Sequence, residues 1–329
     1  MKAVLCKDFG PVSNLKIEDV PDPQPGPDEI LVEIEAAGVN FPDGLTVRGE
    51  YQVKPALPFI PGSEAAGTVR AVGDEVRGIA VGDRVITLCV LGGFAEKVVV
   101  RASQALPIPA SMSGAAASGF TLAYGTALHA LQDKAALRPG ETLLVLGAAG
   151  GVGMAAIEVG KAMGATVIAA ASSDDKLALA KAHGADILIN YGADDLKTAL
   201  RNVAPKGVDV VIDPVGGSMT EAAVRNLSWG GRLLVVGFTQ GEIPKLPVNL
   251  LLLKEASAVG VFWGQFTIKE PEQHQANLKQ LFDWFEAGKL NPHIGATYSL
   301  EQASAAIEHV MDRRALGKVV LTTSTENGK

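Results

Sequence analysis

The residues whose types and spacing most clearly indicate chemistry are the small ones that follow a short apolar run at 143–146. They form the pattern A-x-G-x-x-G, and the residues that we assign to this site are Ala148, Gly150, Gly151, Val152 and Gly153. Small residues let the backbone turn tightly and approach a pyrophosphate. The pyrophosphate then binds the free N–H groups and the positive dipole end of the helix that follows. The sequence therefore predicts a dinucleotide-binding turn, and the alternative is a glycine-rich turn that binds nothing.

The elements that must position this turn alternate between strands and helices from about residue 122 to residue 264. Six short apolar runs are predicted as strands, at residues 142–146, 166–171, 187–189, 208–212, 232–236 and 256–261. With a helix crossing between successive strands, they predict a doubly wound parallel sheet, which is the architecture of a Rossmann dinucleotide-binding domain. The predicted fold class is therefore α/β.

The other residues indicate a second domain that is rich in β-structure. Short strand-like runs, separated by Pro and Gly, fill the chain as far as residue 121. The tail is similar in style, with two helical stretches and a last strand at 317–321. We therefore predict one domain from residues 1–121 and 265–329, with the dinucleotide-binding domain, residues 122–264, inserted between its two pieces.

The composition excludes several classes of partner. The chain has 329 residues, a net charge of −7 and no dense run of Lys or Arg, which argues against nucleic acid or an anionic membrane as the main partner. Its two cysteines, Cys6 and Cys89, form neither a disulfide framework nor a zinc-site pattern. No apolar run has the length of a membrane span, and residues 1–6 read as a strand rather than a signal, so we expect a cytoplasmic protein.

Further motifs follow one another in a fixed order over almost the whole chain. They are G-V-N-F-P-D at 38–43, G-E-Y at 49–51, L-P-F-I-P-G-S-E-A-A-G at 57–67, the glycine turn, and G-K-V-V at 317–320. In this combination the chain resembles the medium-chain dehydrogenase/reductase superfamily, and within it the zinc-free quinone oxidoreductase branch. The resemblance implies a Rossmann sheet inserted in a β-rich, GroES-like catalytic domain. It also implies a homodimer in which the sixth strands of two Rossmann sheets pair.

The same resemblance bears on metal binding. Zinc-dependent members of the superfamily place Cys, His and Cys where this chain has Asn40, Ser63 and Ser118, and none of these three is a competent zinc ligand. Glu64 alone does not make a metal site, and its expected role is hydrogen bonding near the cleft. We therefore predict chemistry without a metal.

The residues after the second Rossmann strand favour NADPH over NADH. An NAD site usually has Asp or Glu at this point, to accept from the ribose 2′-hydroxyl, whereas here the first residue is Ser172. The predicted anion pocket consists of Ser172, Ser173, Lys176 and Tyr191, the last assigned from the resemblance. Asp174 and Asp175 oppose this assignment unless they cap the helix instead. Lys176 could also be an ordinary solvated helix residue.

The resemblance implies four more cofactor contacts, at Thr121, Gly237, Phe262 and Lys318. Thr121 would contact the nicotinamide ribose or carboxamide, and main-chain groups near Gly237 and Phe262 would hold the carboxamide. Lys318 would reach the phosphate end or the cleft. Gly237 could otherwise be a strand-end turn, and Lys318 a surface charge.

Without a metal to polarise an isolated carbonyl, the small-molecule hydride acceptor must be a conjugated carbonyl, which spreads the incoming charge onto oxygen. That charge needs a hydrogen-bond or proton donor, and the predicted catalytic residues are Tyr51 and Asn40. By resemblance, Tyr51 occupies the place of the proposed proton donor in enoyl-thioester reductases, although it could be only a wall residue. The predicted substrate pocket consists of Asn40, Tyr51, Phe262 and Trp263. The aromatic residues after the sixth strand could equally belong to the core or to a dimer contact.

Three functions are compatible with these observations. The first, which we favour, is an NADPH-dependent quinone reductase. The second is an NADPH-dependent reductase of enones or of α,β-unsaturated acyl thioesters, which would share the fold and the cofactor. The third is a dinucleotide-binding structural or RNA-binding protein, although the acidic charge disfavours binding to RNA.

Overall fold

A computed structural model describes residues 1–323 of the chain, which divides into two compact units. The first unit contains Met1–Thr121 and resumes at Pro292, and the second contains Leu122–Asn291. The second boundary therefore differs from the one predicted at residue 264. The reason is the helix Pro271–Glu286, which is bound within the second unit: Asn277 Nδ2 donates to Asp133 Oδ2 at 2.8 Å.

The strands of the described residues are, in chain order, β1 (Lys2–Leu5), β2 (Lys16–Asp19), β3 (Glu29–Val39), β4 (Glu64–Val72), β5 (Arg84–Leu88), β6 (Lys97–Arg101), β7 (Ala105–Pro107), β8 (Thr142–Leu146), β9 (Thr166–Ala171), β10 (Ile187–Asn190), β11 (Val208–Asp213), β12 (Leu227–Val235), β13 (Ser257–Gly260), β14 (Ile294–Ser299) and β15 (Lys318–Thr322).

The α-helices are α1 (Phe41–Arg48), α2 (Gly114–Ser118), α3 (Thr121–Leu128), α4 (Gly151–Ala162), α5 (Asp174–Ala182), α6 (Leu196–Val203), α7 (Gly217–Arg225), α8 (Asn249–Leu252), α9 (Trp263–Lys269), α10 (Pro271–Glu286) and α11 (Ala303–Met311). A π-helix, His129–Lys134, follows α3, and short 3₁₀ segments span Val12–Asn14, Ala102–Gln104 and Leu300–Gln302. Within residues 1–323, no helix has both the length and the apolar character that crossing a bilayer requires.

The second unit is built on a six-stranded sheet in the order β10-β9-β8-β11-β12-β13, with every neighbouring pair parallel. The prediction of a doubly wound parallel sheet is confirmed. Leu143, Leu144, Val145 and Leu146 on β8 are all fully buried, because helices cover both faces of such a sheet. The first residues after β8 and β9 therefore lie at the same edge of the sheet, where parallel strands end together.

The first unit contains a seven-stranded sheet in the order β14-β15-β3-β4-β5-β7, with β6 also paired to β3. The first half of β3 alternates between fully and partly buried residues, and its Ile34 shares an apolar core with Ile307 of α11. Strand β3 pairs with both β15 and β4, so that Val39 lies opposite Val319 and Gly38 lies opposite Glu64. The end of β3 and the beginnings of β4 and β15 therefore meet at one edge of the sheet.

Candidate active site and dinucleotide-binding site

The glycine turn joins β8 to α4 in the second unit. Gly147 has a φ of 60°, and helix α4 begins after Gly150, whose N–H donates to the Gly147 carbonyl at 3.0 Å. A Cβ atom on Gly153 would lie 2.3 Å from the Gly147 carbonyl oxygen, so that only glycine allows the helix to approach the turn this closely. The turn leaves the first N–H groups of a twelve-residue helix available to an anion. These residues fit the pyrophosphate of a dinucleotide.

The residues of the predicted 2′-phosphate pocket follow β9 and β10, which are neighbours in the sheet. Lys176 Nζ donates to Ser172 Oγ at 3.1 Å, so that the structure brings these two predicted residues together. The Tyr191 N–H donates to the Ala171 carbonyl at 3.0 Å, which places Tyr191 beside the end of β9. Ser173 is the N-cap residue of α5, but its side chain makes no capping hydrogen bond.

The acidic residues that opposed this assignment lie in the first turn of α5. There they favour the helix electrostatically, because the N-terminal end of the helix dipole is positive. The Asp174 carboxylate also makes a hydrogen bond outside the helix: its Oδ1 accepts from Asn190 Nδ2 at 2.8 Å. Its carboxylate is therefore held by the next strand along the chain, an interaction that the sequence did not indicate.

A cluster of buried polar side chains occupies the edge of the first unit's sheet where β3 ends and β4 and β15 begin. Lys318 Nζ donates to Asn40 Oδ1 at 2.7 Å and to Glu64 Oε1 at 2.8 Å. Asn40 Nδ2 in turn donates to Glu64 Oε1 at 2.9 Å. All three residues are no more than 6% exposed. We refer to Asn40, Glu64 and Lys318 as the buried triad.

The backbone at this edge admits the triad because Gly38 has no side chain. A Cβ atom on Gly38 would lie 2.3 Å from the Ser118 carbonyl oxygen and 2.5 Å from Glu64 Oε1. The triad also gives Asn40 and Lys318, which were predicted as a catalytic residue and a cofactor contact, an alternative structural role. The ammonium of Lys318 binds within the first unit, and the amide of Asn40 is oriented by two ionic partners.

Asp43 lies beside the triad, in the first turn of α1. Its Oδ2 accepts from the Asn40 N–H at 2.8 Å, and the two residues form a capping box. Burial raises the pKa of the Asp43 carboxyl to about 7; the charge of Glu64 adds to this rise, while the Asn40 N–H and Lys318 oppose it. Two carboxyl groups therefore share a buried site with one ammonium group, and the second carboxyl takes up a proton near neutral pH.

Tyr51, the predicted proton donor, is partly buried after α1. Burial raises the pKa of its hydroxyl, and the nearby charge of Asp43 raises it further. The hydroxyl is therefore protonated at neutral pH, as a hydrogen-bond or proton donor must be. Of the two predicted catalytic residues, Tyr51 is the more exposed, because Asn40 is buried in the triad.

Two of the remaining predicted cofactor residues show features suited to a polar ligand. Thr121 is 1% exposed, and within residues 1–323 its hydroxyl oxygen has no hydrogen-bond partner. Buried hydroxyls are usually paired, so this oxygen is suited to a ligand group. Gly237 follows β12, where its N–H makes a long bond of 3.3 Å to the Asp213 carbonyl, and a Cβ atom would come no closer than 3.5 Å to a neighbour.

The three aromatic residues after β13 differ in their surroundings. Phe262 is 55% exposed, whereas Trp263 and Phe266 are buried in the second unit. Trp263 lies against Gly125, where a Cβ atom would be 2.8 Å from the indole ring, and Phe266 stacks on His129 with ring centroids 3.7 Å apart. Of the three, Phe262 is the one whose side chain is available to a ligand within the second unit.

Sequence reasoning missed one further carboxylate, which shapes the turn after β11. Asp213 is buried, and its Oδ1 accepts from the N–H groups of Val215 and Gly216 at 2.8 and 2.9 Å. Its Oδ2 accepts from Thr220 Oγ1 at 2.5 Å. The sequence feature that could have indicated this turn is the D-P-V-G-G segment at 213–217, because Pro and Gly directly after an apolar run are typical of a turn.

A Rossmann sheet with a glycine turn, on the same chain as a β-rich unit with a buried polar cluster, defines a class of dinucleotide-dependent oxidoreductases. Residues 151–286 match the zinc-binding dehydrogenase family, and residues 26–110 match the alcohol dehydrogenase GroES-like domain family. A rat protein named quinone oxidoreductase-like protein 2 is 40% identical over 323 residues, which are 98% of this chain and 92% of the rat protein. The chain belongs to the medium-chain dehydrogenase/reductase superfamily, in its quinone oxidoreductase-like branch.

Solved structures agree with this assignment. The Escherichia coli quinone oxidoreductase, in a structure complexed with NADPH, is 28% identical with a TM-score of 0.91, and the match covers 98% of this chain and all of that one. A mycobacterial protein, also complexed with NADPH, is 31% identical with a TM-score of 0.91 and the same coverage.

The matched family is named for zinc, and the donor atoms of this chain do not fit that ion. The Asn40 amide oxygen accepts from the Lys318 ammonium, whose charge opposes a cation, and the Ser118 hydroxyl donates to the Ala115 carbonyl at 3.0 Å. Burial raises the pKa of the Cys89 thiol to about 12, so that it is not a thiolate ligand at neutral pH. Among residues 1–323, no group of three His, Cys, Asp or Glu side chains is arranged to hold a metal ion.

Proposed function

We propose that this protein is an NADPH-dependent reductase that transfers a hydride to a quinone or another conjugated carbonyl without a metal. The observation that carries the proposal is the buried triad, in which Asn40 is hydrogen-bonded to the Lys318 ammonium and the Glu64 carboxylate. By resemblance, zinc-dependent relatives have a ligand Cys at the position of Asn40. In a zinc-dependent enzyme the metal polarises an isolated carbonyl as a Lewis acid, whereas a conjugated carbonyl spreads the incoming charge over its own π system.

The chain's own residues would bind and orient the two reactants. The glycine turn and the first N–H groups of α4 would hold the pyrophosphate, and the pair formed by Ser172 and Lys176 would hold the 2′-phosphate. Thr121 would use its unpaired hydroxyl on the nicotinamide side. NADPH supplies the hydride when it is bound, and Tyr51 would donate a hydrogen bond or a proton to the carbonyl oxygen that gains charge.

A reductase of enones or enoyl thioesters is the second candidate, and Tyr51, which is only partly buried and lies near Asp43, favours it. An enolate needs a proton donor that a hydroquinone anion does not need, because the latter is stable enough to take its proton from water. The test measures NADPH oxidation with a quinone, an enone and an enoyl thioester in parallel. Preference for a quinone supports the first candidate, and preference for either of the others supports the second. Activity with none of them would overturn both, and would favour a dinucleotide-binding protein without an enzymatic role.

We also propose that the protein is a homodimer formed through β13. This strand is one edge of the six-stranded sheet, so its outer N–H and C=O groups are available to pair with a second copy. Trp229, Leu252 and Leu253 are large apolar side chains of the same unit that are at least 69% exposed. Light scattering at micromolar concentration would show a dimer, and a monomer there would contradict the proposal.

A further inference from the structure

Asn190 connects the two strand ends that form the rim of the predicted 2′-phosphate pocket. It is the last residue of β10, directly opposite Ala171, the last residue of β9. Its Oδ1 accepts from the Gly192 N–H at 3.0 Å, and its Nδ2 donates to Asp174 Oδ1 at 2.8 Å. The Gly192 donor fixes which end of the amide is oxygen, so that the NH₂ group must face the carboxylate.

The turn after Asn190 is built around this arrangement. A Cβ atom at position 192 would lie 2.4 Å from the Ser172 carbonyl oxygen and 3.1 Å from Asn190 Oδ1, so only glycine fits there. The absence of a side chain brings the β10 turn against the residue that begins the pocket. Asn190 is therefore in position to act on the start of α5.

The carboxylate that Asn190 holds has opposite consequences for the two nicotinamide cofactors. An acidic group at the end of the second Rossmann strand accepts from the ribose 2′-hydroxyl of NAD. The same group repels a phosphate ester on that ribose, which carries a charge between about −1.5 and −2 near neutral pH. Asp174 is two residues from Ser172 and lies in the first turn of the same helix as Lys176.

We infer that Asn190 is a positioning residue for cofactor specificity: it holds the Asp174 carboxylate, so that Ser172 and Lys176 can receive the 2′-phosphate. The inference rests on the proposed preference for NADPH and deepens it. Asn190 needs no contact with the cofactor in this role, because it acts through Asp174. The hydrogen bond from Asn190 also explains how Asp174, directly after Ser173, is compatible with a phosphate pocket.

The test is a double-mutant cycle on Asn190 and Asp174, read with adenosine 2′,5′-bisphosphate and AMP as probes. These ligands carry the adenosine half of each cofactor, so their dissociation constants report the pocket without the catalytic step. Asn190→Ala should weaken binding of the bisphosphate about three- to tenfold, a typical coupling for side chains in contact, and leave AMP unchanged or tighter. In the Asp174→Asn background, the same Asn190→Ala change should have no effect on the ratio of the two affinities.

A second variant distinguishes a specific effect on the phosphate pocket from local unfolding of the turn. Asn190→Asp keeps an oxygen acceptor for the Gly192 N–H but replaces the NH₂ donor by a second carboxylate, so it should reduce the preference for the bisphosphate at least as strongly. If Asn190→Ala and Asn190→Asp weaken both probes equally, or act equally with and without Asp174, Asn190 only supports the turn and the inference is overturned. If the wild-type protein binds AMP as tightly as the bisphosphate, the proposed NADPH preference itself fails. If the wild type prefers the bisphosphate and the cycle shows no coupling, only the role of Asn190 fails.

Discussion

At the scale of single residues, the chemistry open to a polar side chain depends on whether it is already hydrogen-bonded to another residue. The three residues of the buried triad, Lys318, Asn40 and Glu64, are hydrogen-bonded to one another, so Tyr51 is the more accessible donor. Ions that are removed from water are tolerated only when they are paired and hydrogen-bonded. The pairing within the triad therefore explains why these three polar residues can be buried.

The role of Tyr51 can be tested with Tyr51→Phe, which keeps the ring and removes only the hydroxyl. For an enone or enoyl thioester, kcat should fall by about 10²–10⁴, the usual range for a lost general acid. For a quinone the decrease should be small, because a hydroquinone anion takes a proton from water. The matched control is Tyr298→Phe, since the Tyr298 hydroxyl is paired with His309 in the same unit and should not discriminate between acceptors. An equal, slight effect on all acceptors would make Tyr51 a wall residue.

The raised pKa of Asp43 predicts a specific dependence of stability on pH. The folded protein keeps a proton on Asp43 up to about pH 7, whereas the unfolded chain releases it near 3.8. The folded state therefore binds more protons in this window, and this carboxyl makes the protein less stable as the pH rises through it. In the Asp43→Asn variant residue 43 cannot ionise. The free energy of unfolding of the variant minus that of the wild type should therefore increase by roughly 2–4 kcal/mol between pH 4 and pH 8.

Urea unfolding at a series of pH values measures this difference, with the denaturant slope checked for each protein. The charged groups near Asp43 are Glu64 and Lys318, and both stay in place in the variant. A difference between variant and wild type that does not change with pH would contradict the raised pKa.

Lys318→Met tests whether the ammonium belongs to the triad or to the cofactor. The substitution leaves the Glu64 carboxylate buried without its cationic partner, so the free energy of unfolding should fall by about 3–5 kcal/mol. Adding Glu64→Gln should recover much of this loss, because the amide keeps an oxygen for Asn40 and removes the charge. If the variant is as stable as the wild type but binds NADPH more weakly, Lys318 is the cofactor contact that the resemblance implies.

At the scale of elements, the glycine turn before α4 offers a matched pair of substitutions. Gly153→Ala would put a Cβ atom 2.3 Å from the Gly147 carbonyl oxygen, whereas a Cβ atom on Gly150 would lie 3.5 Å from the same oxygen. Gly153→Ala should therefore lower the free energy of unfolding by about 1–3 kcal/mol or more, as overpacking does. Gly150→Ala should fold with nearly normal stability and lose affinity for NADPH, because its methyl group blocks the approach of the pyrophosphate. Thermal unfolding and NADPH titration separate the two effects, and equal stability of both variants would contradict the close packing.

The strands of the Rossmann sheet could be predicted because each is a short apolar run between polar turns. β8 and β9 begin and end at the predicted residues, and the other four differ by a few residues at their ends. Helix α1 was not predicted, since its sequence F-P-D-G-L-T-V-R has no apolar periodicity and contains both Pro and Gly. Its start depends on the capping box between Asn40 and Asp43, which was visible only as part of a family motif.

At the scale of the whole molecule, the features that the sequence does not predict are those formed by residues far apart in the chain. Asn40 and Lys318 are 278 residues apart in the chain and meet because β3 and β15 are neighbours in one sheet. No local pattern indicates such a pair, so Lys318 was assigned from resemblance alone. The end of the second unit differs from the predicted boundary for the same reason, because the partners of α10, Gln132 and Asp133, lie far earlier in the chain.

We have proposed that the protein uses NADPH to reduce a conjugated carbonyl and needs no metal. The most direct measurement compares oxidation of NADPH and of NADH by a quinone and an enone, with protein that has been treated with a strong chelator and analysed for metal content. We predict saturable oxidation of NADPH, a kcat/KM at least about tenfold higher than with NADH from the phosphate contact, and no loss of activity on chelation. Equal use of NADH would rule out the proposed NADPH preference, and activity that is lost on chelation and restored by zinc would rule out metal-free catalysis.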